Sequence, residues 1–326
     1  MLWAFARCWL AAITLGLAIE ASAQDKAVSD FPSRGARIIV PFAAGSVLDT
    51  QARIIAEGLG QRWAQPVIVE NVAGSGGNAG TERFARSSPD GYTLLAAPPG
   101  PFTINRLLYK SVGYDADKFV PITLISTVPN VLVVRNDLPI RTLGEYMARA
   151  SSIPGQMSYA SQGAGTTPFL IVKRLEVLTN ITMVHVPYRG SALALADVAA
   201  GHVDSFFDAI GNVLGLAREG KVRAIAITDT VRSPLLPDVA TVSETVPGFR
   251  ALSWFAIAAP PGTPAPIANR LSADTQALIS SPAINKRLVE IGLNPVGGSR
   301  EETAKFIAEE NEIWSKLVES AGLTLD

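Results

Sequence analysis

The stretch IIVPFAAGSVLDT, residues 38–50, constrains this chain most: an apolar run of strand character enters a loop of small residues and leaves as an amphipathic helix. Such a turn sets the unsatisfied N–H groups of a helix start above the end of a strand. The pattern recurs in VIVENVAGSGGNAGT (67–81), SYASQGAGTTPF (158–169) and VHVPYRGSALAL (184–195). Each time small residues occupy the place a ligand would take, and no segment reads as a nucleophile–base pair. Repeated strand–loop–helix units predict an α/β fold with mostly parallel sheets, built to hold something and not to transform it.

The chain has 326 residues, and at roughly 100–200 residues per domain two domains are expected. Charge is nearly balanced, 28 Lys+Arg against 29 Asp+Glu, with no basic run that follows a phosphate backbone. Nucleic acid is therefore excluded as the expected partner. At the N-terminus Arg7, an apolar run over 8–19 and Ala21-Ser22-Ala23 read as a signal peptide, residues 1–23, cleaved after Ala23. A membrane anchor is the alternative, but about a dozen apolar residues fall short of the ~20 that span a bilayer. The single cysteine, Cys8, lies in that leader and lacks the small-residue context of a lipid-attachment site. The mature chain then has neither a disulfide nor a cysteine-ligated metal, and no later segment is long and apolar enough to cross a membrane.

Strands are predicted at 37–40, 67–70, 92–96, 131–134, 157–160, 182–186, 205–207 and 224–228, with helices at 143–150, 168–178, 193–200 and 210–219. Leu48, Ala52, Ile55, Leu59 and Trp63 keep helical spacing after the first strand. The C-terminal stretch predicts three helices uninterrupted by strand, marked by Ile267/Leu271/Leu278, Ile284/Leu288/Ile291 and Phe306/Ile313/Leu317. Two extended proline-flanked segments, 121–129 and 249–261, are expected to pass between lobes. That makes 31–127 with 248–326 the first lobe, 128–247 the second, and the gap between them the ligand cleft.

Ser46-Val47-Leu48-Asp49 fits a capping box, with Ser46 accepting from the first turn and Asp49 reaching back. Gly74-Ser75-Gly76-Gly77-Asn78-Ala79 has the form G-x-G-x-x-A, yet it follows the second strand of an exported chain and reads better as a tight loop than as a dinucleotide site. Thr167-Pro168 is a plain helix start, and the preceding Gly163-Ala164-Gly165-Thr166 adds small residues that let a ligand approach the backbone. Gly190-Ser191 is a further helix start. Asp208 is either a helix cap or a ligand contact, and as a contact it accepts from an amine, amide or protonated group and repels a bare carboxylate unless water or a proton intervenes. His185 and His202 read as structural. No G-x-S-x-G elbow, Walker A loop or H-E-x-x-H is present, so no catalytic residue, metal or cofactor is expected.

Taken in order, FPSRGARIIVPFAAGSVLDT, PDGYTLL, VPYRGSALALADVAAGHVDSFFD, VRAIAIT and APPGTP resemble the extracytoplasmic receptors of tripartite tricarboxylate transporters, often called Bug receptors. The resemblance runs over nearly the whole mature chain. It implies a type II periplasmic-binding-protein fold, two α/β lobes on a two-segment hinge, closing on a small organic carboxylate. It further implies a periplasmic, monomeric receptor that hands its ligand to membrane transporter subunits. Carried residue by residue, the ligand positions are Phe42, Ala43, Ala44, Gly45 and Asp49, then Gly163, Thr166 and Thr167, then Gly190, Ser191 and Asp208. Ser46, Ala164 and Gly165 join them from the loop reading above. The chain departs from the family at Ser46, commonly glycine, at Pro98-Pro99-Gly100-Pro101, commonly more polar, and at Thr167-Pro168-Phe169, which often carries histidine. A stiffer, more apolar rim favours a ligand with an aromatic or alkyl body. The rival readings are an exported hydrolase or dehydrogenase, and a ligand sensor for a signalling partner.

Overall fold

The computed structural model describes residues 30–249, 251–320 and 322–324, so the expected leader lies outside the described residues. Apolar runs rich in Val, Ile and Ala form β1 (Ala36–Val40), β2 (Val67–Asn71), β3 (Thr93–Ala97), β4 (Val120–Arg135), β5 (Ser158–Ser161), β6 (Val184–Pro187), β7 (Ser205–Ala209), β8 (Val222–Ile227), β9 (Leu252–Ala259) and β10 (Asn294–Pro295). Their order is β2-β1-β3-β9-β4-β7-β5-β6, with β8 and β10 also paired to β4. The flanks β2-β1-β3 and β7-β5-β6 are parallel, as the alternating units predict. The centre is antiparallel. The cause is the length of β4: Val120 to Pro129 pair with β9, and Val131 to Val134 continue between β7 and β8.

The helices are α1 (Val47–Trp63), α2 (Asn78–Ala85), α3 (Asn105–Leu108), α4 (Leu143–Ser152), α5 (Thr167–Thr179), α6 (Ser191–Ala200), α7 (Ile210–Arg218), α8 (Val242–Thr245), α9 (Ala265–Ile279), α10 (Pro282–Glu290) and α11 (Arg300–Ser320). They cover both faces of the sheet, which is why its strands read as almost continuous apolar runs. Along β1, Ile38 and Val40 pack with Leu48, Ile55 and Leu59 of α1, while Ile39 packs oppositely with Phe84, Phe102 and Trp254. Along β4, Leu132 and Val134 meet Tyr146 and Leu170, and Val131 and Val133 meet Ala194, Val198 and Val213. Among the described residues no helix is long and apolar enough to cross a membrane.

Two features of the C-terminal stretch differ from expectation. The short strand β10 interrupts the helices, pairing Asn294 and Pro295 with Thr127 and Ser126. Helix α11 joins two clusters: Phe306 and Ile307 pack beside Trp254, whereas Trp314, Leu317 and Val318 join the cluster around Leu132 and Tyr159. Between them Glu310 accepts from Nε1 of both Trp254 (2.9 Å) and Trp314 (3.1 Å). An apolar stripe in sequence shows that a helix buries a face, but not which core receives each end of it.

Candidate functional site

Four strand-to-helix turns open on one hollow of about 340 Å³. The turn after β1 contributes Phe42, Ala43, Ala44, Gly45 and Ser46, and the turn after β5 contributes Gly165, Thr166 and Thr167. Gly190 and Ser191 follow β6, and Asp208 ends β7. All lie at the carboxyl ends of parallel strands, where α/β sheets place ligands. Asp49, Gly163 and Ala164, also named from the sequence, do not line the hollow.

Asp49 is buried behind the first turn. Its carboxylate accepts from the Gly45 N–H (2.9 Å) and from Asn71 Nδ2 (3.0 Å), and it pairs with Arg53 (2.9 Å). Asn71 Nδ2 also donates to the Phe42 carbonyl at 3.1 Å, so two side chains hold the loop from below. Burial pushes the Asp49 carboxyl up, but Arg53, Gly45 and Asn71 outweigh it and leave the group below its ordinary value. The capping box is thus displaced: Ser46 Oγ accepts from the Asp49 N–H at 3.2 Å, while Asp49 reaches to Gly45, one residue beyond the cap. Gly45 has φ +84°, which a side chain would strain. With the Gly45 N–H occupied, the donors left at this turn include those of the first helical residues, Val47 and Leu48, which no intrahelical carbonyl can reach.

The second-half turns are built differently. Helices α5, α6 and α7 have no side-chain cap at their starts, whereas α4 and α8, away from the hollow, carry reciprocal caps from Thr142/Glu145 and Thr241/Glu244. Thr166 Oγ1 is turned away from its helix to the Gly163 carbonyl (2.7 Å). The first N–H groups of these helices are thus without a side-chain acceptor at the positive ends of their dipoles, and Thr167, Ser191 and Ala192, at the starts of α5 and α6, line the hollow.

Asp208, 2% exposed, is the acid among the lining residues, and its oxygens are occupied. Gln162 Nε2 (3.0 Å), Asn212 Nδ2 (3.1 Å) and the Ala209 N–H (2.9 Å) all donate to it. The same two amides donate to Ser191 Oγ, at 2.8 and 3.2 Å. A hydroxyl has two acceptor positions and one proton, so Ser191, which already accepts twice, has its O–H to direct at the Asp208 carboxyl beside it. Burial pushes the Asp208 carboxyl up to about 6, against the pull of hydrogen bonds from Ser191, Ala209, Asn212 and Gln162. The network keeps the aspartate's oxygens engaged within the wall of the hollow.

Sequence reading missed Gln162, Asn212, Arg189, Asn130 and Ser253, all of which line the hollow. Asn130 Nδ2 donates to Ser253 Oγ (3.0 Å) across β4 and β9, forming a polar floor. Polar residues inside the apolar runs VPNVLVV and LSWFAIAA were the available signal. Gly76 and Pro98 reach the rim, and Gly76, at φ +63°, would bring a Cβ within 2.7 Å of the Tyr109 hydroxyl.

The structure also brings together a serine and a histidine that the sequence does not pair: Ser161 Oγ lies 2.6 Å from His185 Nε2. Ser161 is fully buried, lines no part of the hollow, and braces the Gly163 turn through its N–H (3.0 Å) and carbonyl (3.1 Å). Burial, reinforced by Lys173, pushes His185 down to about 4. This pair packs a loop. Among the described residues no three His, Cys, Asp or Glu side chains group to hold a metal ion.

A family model described as the tripartite tricarboxylate transporter family receptor matches residues 51–323. The chain belongs to this receptor family. BugT of Bordetella pertussis is 33% identical over 319 residues, covering 97% of this chain and 98% of BugT. The structure of R. palustris Rpa4515 with adipate is similar at a TM-score of 0.86 and 33% identity, over 90% of this chain and 99% of that one. MatC from Rhodopseudomonas palustris with bound malate follows at 0.81 and 32%, over 88% of this chain and 100% of MatC. The receptor thus shares the mixed α/β fold of the periplasmic binding proteins in its family, whose structures include carboxylate complexes.

Proposed function

We propose that this receptor, exported by cleavage after Ala23, acts as a periplasmic monomer that captures a small organic carboxylate by hinge closure and delivers it to membrane transporter subunits. One observation carries the reading: turns from both halves of the sheet end on one hollow, and three of the four helix starts there are left without a side-chain cap. Open N–H groups suit an acceptor, and a carboxylate is an acceptor with a charge that helix starts favour. Hydrogen bonds to a charged group contribute about 1.5–3 kcal/mol each. Three or four, less the cost of ordering, support binding near the −8 kcal/mol of a micromolar constant. The adipate and malate complexes of Rpa4515 and MatC point the same way.

Closure follows from where the donors sit. Those of α1 belong to one half and those of α5, α6 and α7 to the other, so a ligand touching both favours the closed form. β4 and β9 are the crossings about which the halves move in this reading. In this reading the receptor binds without performing chemistry; the Ser161–His185 pair does not line the hollow.

Isothermal titration of folded, ligand-stripped protein against mono-, di- and aromatic carboxylates tests the proposal. Micromolar binding by at least one class is expected, with the melting temperature raised in proportion. Silence across the panel contradicts it.

A further inference from the structure

Ser161, at the end of β5, ties together two of the turns that reach the hollow. Its carbonyl accepts from the Tyr188 N–H at 2.8 Å, just ahead of Gly190 and Ser191, and its Oγ accepts from the Gly163 N–H at 3.0 Å. Two groups compete for the hydroxyl proton: His185 Nε2 at 2.6 Å and the Gly163 carbonyl at 3.1 Å. That carbonyl has two acceptor positions, and Thr166 fills both, through Oγ1 (2.7 Å) and its N–H (3.3 Å). The proton therefore belongs on the shorter contact, to a bare Nε2. The ring is seated for it: β5 and β6 pair Tyr159 with His185, whose imidazole stacks on Tyr159 (centroids 5.1 Å apart) and lies 4.8 Å from the Phe169 ring. Burial and the Lys173 ammonium keep the imidazole neutral.

We infer that His185 is a positioning residue for ligand binding: by holding the Ser161 proton it leaves the Gly163 carbonyl to Thr166, and so keeps the start of α5 uncapped for the ligand. The inference rests on the receptor reading above and says how one of its donor sets is kept open. Thr166 has the extended backbone of a helix cap, φ −75° and ψ 156°, yet its hydroxyl caps nothing. Threonine in that place ordinarily turns its oxygen onto the first turn of its own helix. Pro168 has no N–H, so the group a capping Thr166 takes is the Phe169 N–H. Without an acceptor at His185, the buried Ser161 proton goes to the Gly163 carbonyl, because buried donors find partners. It displaces Thr166 Oγ1, which then swings onto its helix. A hydroxyl oxygen now occupies a donor, and shields the positive helix end, that an anionic ligand uses. His185 does this without lining the hollow.

The test uses the full mature receptor, 15N-labelled, and three variants: His185→Phe, which keeps a stacked ring and loses the acceptor, His185→Gln, whose side-chain carbonyl replaces it, and Ser161→Ala, which has no proton to redirect. Expected in the parent at pH 7 is a His185 Nε2 with the 15N shift of an unprotonated ring nitrogen. The Phe169 amide should move downfield in His185→Phe as Thr166 caps it. It should stay in place in His185→Gln, in Ser161→Ala, and in His185→Phe combined with Thr166→Val. Calorimetric titration with adipate, malate and benzoate should show whichever acid binds weakened at least fivefold by His185→Phe and less than twofold by His185→Gln, with no further loss when His185→Phe is added to Thr166→Val. A role in packing alone predicts instead that Ser161→Ala and His185→Phe move the Phe169 amide alike. That result, a protonated Nε2 in the parent, an unmoved Phe169 amide in His185→Phe, or equal weakening in both backgrounds overturns the inference and leaves the receptor reading standing. If His185→Phe does not fold, the protonation of Nε2 in the parent decides. A folded parent that binds no carboxylate removes the receptor reading and, with it, the role of His185 in binding.

Discussion

Asp208 and His185 lie in the same half of the molecule, and burial acts on them with opposite consequences. Asp208, pushed up to about 6 from 3.8, favours the folded state while protonated. Its contribution is full below pH 4 and is lost as pH climbs through 6, a swing of roughly 3 kcal/mol. His185, pushed down to about 4 from 6.5, favours the folded state while neutral, so its contribution is full above pH 6.5 and is lost as pH falls through 4. Between pH 4 and 6.5 the two offset each other. Asp208→Asn removes one side of the balance, and its melting temperature relative to the parent should rise from pH 4 to about pH 7 and then level off; a constant difference would refute the assignment. The same charge governs binding, because an anion beside Asp208 favours the protonated carboxyl. Carboxylate affinity should therefore be higher at pH 5.5 than at pH 8 in the parent and level in Asp208→Asn. Asp208 was visible in the sequence as a polar strand end. Gln162 and Asn212, which decide what Asp208 can do, were not, because their donors converge from different turns only in the fold.

At the scale of elements, α1 was legible throughout: Leu48, Ala52, Ile55, Leu59 and Trp63 are all buried at the expected helical spacing, and Ser46 caps the helix. The antiparallel centre was not, since strand direction is set by how a long strand is shared between two half-sheets, and composition does not encode that. Asp49 shows the same limit at smaller scale. Its spacing from Ser46 announced a cap, but Asn71, which completes the brace beneath the loop, comes from β2. Asp49→Ala removes the acceptor of the Gly45 N–H and strands Arg53, so denaturant unfolding should show about 1–2 kcal/mol less stability. Carboxylate binding should weaken severalfold as the turn loosens. Loss of binding with stability unchanged would mean that Asp49 touches the ligand directly and does not brace the loop.

For the whole molecule, the prolines around 121–129 and 249–261 marked where the chain passes along the centre of the sheet, now β4 and β9. What periodicity could not assign was α11, whose two ends enter different cores about Glu310 and the two indoles it joins. The central claim is that open main-chain N–H groups from both halves hold one acidic group. Amide-resolved NMR of the 15N-labelled receptor, titrated with a carboxylate that binds in calorimetry, tests it most directly. The account predicts that the amides of Val47, Thr167 and Ser191 shift together downfield with one common midpoint. Shifts confined to one half, or centred on the second hollow around Arg34, Arg37 and Tyr92 at the other ends of the strands, would contradict it.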